Sequence, residues 1–138
     1  MGSTAVEPEI MIMLVLLRDP GQVAMTRCLV RAALEHRGLG DYADDAAWIA
    51  SELVTNAIQH ATTDIADKIG VTLLRAWGGE AVSVVVTDPS PVPPVKREAT
   101  SAGEHGRGLH IVEALSARWA WNPEDDGKAV YAILTRED

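Results

Sequence analysis

Glu52, Asn56 and His60 recur at i, i+4 and i+8 in the stretch "ELVTNAIQH". On a helix that spacing aligns a carboxylate, an amide and an imidazole in one stripe. An amide oxygen is a hard ligand suited to Mg²⁺, which keeps several waters and takes further ligands from substrate phosphates. A carboxylate one turn earlier is placed to accept a proton from a hydroxyl or water attacking a γ-phosphate. The plainer reading is a solvated face, since polar stripes are what surface helices carry.

A second patch is "VVVTDPSPVPP", where Asp88 closes a strongly apolar strand. An Asp at a strand end is commonly a turn former. It is also the group that could accept a hydrogen bond from an exocyclic amine, such as that of adenine, at the floor of a pocket. The third patch is "GEHGRGLHIVEAL", in which Gly103, Gly106 and Gly108 are spaced G-x-x-G-x-G and run into a helix through Leu109. Glycines permit close backbone approach, and N–H groups at a helix start form an anion site. Arg107 adds a fixed positive charge among them. No G-K-[ST] follows, so this is not a Walker loop. It does not follow a strand as a dinucleotide-binding fingerprint would.

Other reactive residues are scattered. His36, His60, His105 and His110 do not form a zinc set by spacing, and His60 reads best as a packed residue at a helix end. Trp48, Trp77, Trp119 and Trp121 read as core or sheet-packing residues. No Ser sits in a G-x-S-x-G setting.

These patches need elements to hold them. Residues 9–17, "EIMIMLVLL", predict a strand. Residues 21–37 predict a helix with Met25, Leu29, Ala32 and Ala33 on its apolar face, stopped by Gly38 and Gly40. A second helix is expected over 44–61, with Ala46, Ala50, Leu53, Ala57 and Ala61 inward and capping from Tyr42 to Asp45. "IGVTLLRAW" and "EAVSVVVTD" flank Gly78-Gly79 as a hairpin would. Residues 89–106 predict a long loop, functional or disordered. A third helix is expected over 108–118, with Leu109, Val112 and Leu115 inward. "RWAW" then opens a strand, "NPEDDGK" is a turn and "AVYAILT" the last strand. The order β-α-α-β-β-loop-α-β-β predicts an α+β fold, a mostly antiparallel sheet with helices on one face.

With 138 residues, one domain with a real core is expected over 9–138, preceded by a flexible stretch 1–8. The net charge of −8 repels phosphate backbones, so direct nucleic-acid binding is not expected. Cys28 is the only cysteine, which suits a reducing cytoplasm. The apolar run 10–17 is too short to span a bilayer as a helix, and no basic segment precedes it as in a signal peptide.

In order, the chain offers E-x-x-x-N on a helix, an Asp after a strand, a long loop, and G-x-x-G-x-G-L opening a helix. This resembles the GHKL ATPase superfamily of gyrase, heat-shock chaperones, histidine kinases and mismatch-repair proteins. "SELVTNAIQHA" looks like its asparagine box, "VTDPSP" its first glycine box and "GEHGRGLHIV" its second. By its small size the chain is similar to the stand-alone anti-sigma factor/serine protein kinases of bacteria. That resemblance implies a Bergerat-type ATP-binding fold, with ATP and Mg²⁺ as cofactors. It implies phosphorylation of a serine on a small antagonist protein, capture of a sigma factor, and a homodimer. It assigns Glu52 as general base, Asn56 as Mg²⁺ ligand and Asp88 as the adenine-reading carboxylate. Gly103, Gly106, Arg107, Gly108 and Leu109 fall in the nucleotide-binding box. Two positions depart from the pattern. Asp88 is followed by Pro-Ser-Pro instead of the usual x-G-x-G, and Lys128-Ala129 stand where a Thr beside adenine is usual. A non-catalytic ATP-binding module and a domain that has lost its nucleotide are the competing functions.

Overall fold

The structure is a computed structural model and describes residues 8–76, 81–95 and 108–136. The stretch 1–7 of the expected flexible N-terminus, the Gly78-Gly79 turn, and Trp77 and His105 lie outside the described residues. So do most of the long loop and, with it, Gly103, Gly106 and Arg107.

Five strands form one sheet in the order β1-β2-β3-β5-β4: β1 (Glu9–Leu17), β2 (Lys68–Ala76), β3 (Ala81–Asp88), β4 (Arg118–Glu124) and β5 (Gly127–Thr135). Each of the four pairings is antiparallel. Among the described residues three helices pack with it: α1 (Gly21–His36), α2 (Ala43–His60) and α3 (Gly108–Leu115), with a 3-10 turn at Gly40–Tyr42. The architecture is α+β. Among the described residues no helix is long and apolar enough to cross a membrane.

The strand period of two decides which side faces the helices. Ile69, Val71 and Leu73 on β2, Val82, Val84 and Val86 on β3, and Val130, Ala132 and Leu134 on β5 are all buried. Each fully buried Val contributes about 1.5–3 kcal/mol. Asp88 and Lys128 continue those same rows at one end of the sheet and pair directly across it. Against the rows lies α2, whose Ala46, Ala50, Leu53, Ala57 and Ala61 are all buried as expected. Small side chains on that face let the helix axis approach the sheet.

Several local expectations are revised. On α1 the buried residues are Thr26, Val30, Ala33 and Leu34, while Met25 and Leu29 are exposed. Of the stripe expected from the sequence, Ala33 is buried as expected, whereas Met25, Leu29 and Ala32 are turned to solvent. Thr26 tolerates burial because its Oγ1 donates to the Gln22 carbonyl at 2.8 Å. The α1 stop falls where expected. Gly38 takes φ +73°, and the Leu39 N–H bonds back to the Leu34 carbonyl at 2.8 Å, the closing bond of a Schellman turn. No side-chain cap serves the start of α2, although Asp44 and Asp45 occupy its first turn. Helix α3 ends at Leu115, not 118, because the Ala117 N–H is already captured by the Ile133 carbonyl at 2.8 Å. Strand β4 runs through Asn122-Pro123-Glu124, which the sequence assigned to a turn. It is an edge strand, where a missing proline N–H is tolerated.

Candidate functional site

Helix α2 sets the site by its rotation. Leu53 and Ala57 point into the core, each 3% exposed, which leaves Glu52 and Asn56 half-buried on the flank, one turn apart. His60 continues the stripe but is exposed. Gly108, the first residue of α3, comes against this flank. A Cβ built there would lie 3.8 Å from the Glu52 carbonyl oxygen and 3.9 Å from its Cβ. The start of α3 therefore sits beside the carboxylate-bearing turn of α2. Leu109, the next residue, has its side chain buried in the core. What it can offer a ligand is its backbone.

The Glu52 carboxyl is pushed above the ordinary carboxylate value, because partial burial disfavours its charged form. The Arg27 guanidinium opposes this and pulls it down. A carboxylate held somewhat basic is the more capable proton acceptor. Among the described residues no three His, Cys, Asp or Glu side chains converge as a metal-binding group. A Mg²⁺ ion at Asn56 would accordingly take its other ligands from water and a bound polyanion, which is how this ion is usually held.

Asp88, the second carboxylate singled out from the sequence, closes β3. Its Oδ1 accepts the Ser90 N–H at 2.9 Å, so it does cap the turn that begins the loop. It also accepts from Lys128 Nζ at 3.0 Å, and the two side chains are only 3% and 5% exposed. Lys128 Nζ reaches the Ser90 carbonyl at 3.3 Å as well. Gly127, with φ +152°, lies so close that a Cβ there would fall 1.9 Å from the Asp88 carbonyl oxygen. A groove of about 900 Å³ opens beside this corner, lined by Asp67, Lys68, Thr87, Asp88 and Gly127. The sequence singled out Lys128 as a departure, but not as the partner of Asp88, and missed Gly127. The β-bridge that joins them spans 40 residues and follows only from the sheet register.

The histidine kinase-like ATPase domain family matches residues 16–134. The chain belongs to that family. Membership in that family implies ATP binding. Among solved structures it is similar to the RsbU and RsbW domains of Rv1364c from Mycobacterium tuberculosis, at 18% identity and a TM-score of 0.63. That alignment covers 94% of this chain and 32% of the other, so the chain spans about a third of that structure's length. The histidine kinase domain of the blue-light activated histidine kinase EL346 from Erythrobacter litoralis is also similar. There the identity is 19% and the TM-score 0.48, covering 87% of this chain and 61% of the other. At 18% identity the first of these likenesses is a statement about fold. No curated protein matches the chain significantly.

Proposed function

We propose that this chain is an ATP- and Mg²⁺-dependent protein serine kinase of the anti-sigma type. Its target would be a serine on a small antagonist protein, and it would also sequester a sigma factor. The observation that carries the reading is the seating of Gly108 against Glu52, one turn from Asn56. It supports the reading by bringing a carboxylate, an amide one turn away and a helix N-terminus close together.

In this reading Asn56 holds the cation, which neutralises the phosphate charge when bound. Glu52 takes the proton of the serine hydroxyl as that oxygen bonds the γ-phosphorus. The bond to the β–γ bridging oxygen breaks and ADP leaves. Gly108 and the backbone of Leu109 face the phosphates, with Gly103, Gly106 and Arg107 assigned to the same box by resemblance. Asp88 faces the base. The test is incubation with labelled ATP, Mg²⁺ and small antagonist domains from the same genome. Phosphoserine on an antagonist is expected; transfer to none of them overturns the kinase reading.

One observation favours a second reading, a non-catalytic ATP-binding module. Asp88 is already engaged by Lys128, an arrangement that holds the base end of the site without any need for turnover. A homodimer, implied by the resemblance, would find an apolar edge in β1, where Met13 and Val15 are 64% and 69% exposed. Sedimentation at micromolar concentration tests it, and a monomer there excludes a stable dimer.

A further inference from the structure

Trp48 stands one turn before Glu52 on α2 and is 51% exposed. The sequence suggests a packing role for it, and tryptophan is highly buried on average. Its place in the fold gives it another task. Asp44, Trp48, Glu52 and Asn56 follow one another at steps of four along α2. Each step turns the stripe by about 40° on a 3.6-residue helix. The stripe begins against α1, where Arg31 pairs with Asp44, and winds away from it. Arg27, one turn before Arg31, acts on the Glu52 carboxyl. Trp48 therefore lies on the α1 side of Glu52, and Asn56 on the other. Side chains on a helix lean toward its N-terminus, so Glu52 leans over the turn that carries Trp48.

We propose that Trp48 is the docking platform for the protein segment that brings the acceptor serine, and that it selects a large apolar residue two positions from that serine. The inference rests on the kinase reading and on Glu52 as its proton acceptor. In that reading the metal and the phosphates take the Asn56 side of Glu52, and the start of α3 closes on Glu52 at Gly108. The Trp48 side is left for the incoming segment. Along the helix axis Glu52 and Trp48 are about 6 Å apart. Two residues of extended chain span about 7 Å, and side chains two apart share a face. A serine held over Glu52 thus sets its second neighbour over the indole. A rigid aromatic with only two side-chain torsions holds such a neighbour at low entropic cost.

The experiment uses the whole chain and the antagonist domain that accepts phosphate in the transfer assay. Trp48→Ala should raise the KM for that domain by about tenfold or more, as loss of a buried interface tryptophan does. Its kcat, and its Kd for Mg-ATP, should stay within about threefold, since only uniform substrate binding is removed. Trp48→Phe should recover most of the loss. The antagonist should carry a large apolar residue two before or two after its phosphorylated serine. Replacing that residue by Ser should raise the KM likewise, and should add little on top of Trp48→Ala. An antagonist with no such residue, or an unchanged KM in a folded Trp48→Ala variant, overturns the inference. If that variant instead turns a dimer into a monomer with the KM unmoved, Trp48 belongs to a contact between copies and the inference falls. Equal losses in kcat and ATP affinity would make Trp48 a support of α2 and overturn it too. A wild type that phosphorylates no antagonist overturns the kinase reading itself, and this inference with it.

Discussion

Gly127 presses its α-carbon against the backbone of Asp88 so tightly that no side chain fits between them. A Cβ would stand 1.9 Å from the Asp88 carbonyl oxygen and 2.8 Å from the Pro89 α-carbon. The backbone there also takes φ +152°, which L-residues rarely adopt. Gly127→Ala should therefore cost at least about 1–3 kcal/mol, since both the clash and the dihedral oppose it. Gly108→Ala is the matched control. Its Cβ would meet atoms no nearer than 3.8 Å, so the fold should keep its stability within about 1 kcal/mol. Urea unfolding of the two variants checks this, and equal midpoints would show that Gly127 is not required by packing.

The Asp88–Lys128 pair predicts a strong thermodynamic coupling. Both side chains are at most 5% exposed, so removing one partner strands a buried charge. Asp88→Ala or Lys128→Met alone should destabilise by about 3–5 kcal/mol. The double variant should lose clearly less than the sum of the two, because neither charge is then left behind. Single losses below about 0.5 kcal/mol would mean that the pair is open to water in solution.

Arg27 and burial act on Glu52 in opposite directions, and that fixes the sign of a pH effect. Burial raises the carboxyl from its ordinary value of 4.5, and the guanidinium lowers it. Arg27→Gln should therefore raise it further. If Glu52 is the base, the acid limb of phosphoryl transfer moves to higher pH in this variant, because the active form is the ionised one. A pH–rate profile with an unmoved acid limb would separate Glu52 from the proton transfer.

The sequence carries the outline of this site and little of its wiring. Strand 9–17 and the inward face of α2 are legible because each follows one period over many residues. The α1 face is ambiguous, since the stripe through Met25 and Leu29 and the stripe through Val30, Ala33 and Leu34 both have helical spacing. Only tertiary packing chooses between them. Pro123 and Asn122 look like turn residues, and an edge strand admits both. Glu52, Asn56 and Asp88 are visible as types at characteristic places. Lys128 comes against Asp88 only through β3–β5 register, which no local pattern encodes.

Glu52→Gln distinguishes a kinase from a binding module, and its stability supplies an internal check. Gln keeps the size and helix propensity of Glu but cannot accept the serine proton. Loss of a general base typically lowers the rate about 10²- to 10⁴-fold, while nucleotide affinity should hardly change. The raised Glu52 value carries a linked effect. A carboxyl with a raised native pKa favours the fold fully only below its unfolded value, near 4.5. That contribution disappears as pH rises through the native value. At neutral pH the ionised Glu52 thus opposes folding, and Glu52→Gln should melt no lower than the wild type. The difference should fade below about pH 4, where both residues are neutral. Asp67 has the opposite sign. Its carboxylate accepts the backbone N–H groups of Thr63 and Asp64 at 2.9 and 3.1 Å, which holds its pKa down, so its support is lost as pH falls. Melting curves at pH 4 and 7, set beside transfer rates, check both halves. Wild-type transfer by a folded Glu52→Gln variant would remove Glu52 from the base role. A variant that melts well below the wild type at pH 7 would show that the carboxylate is there to hold α2 in place.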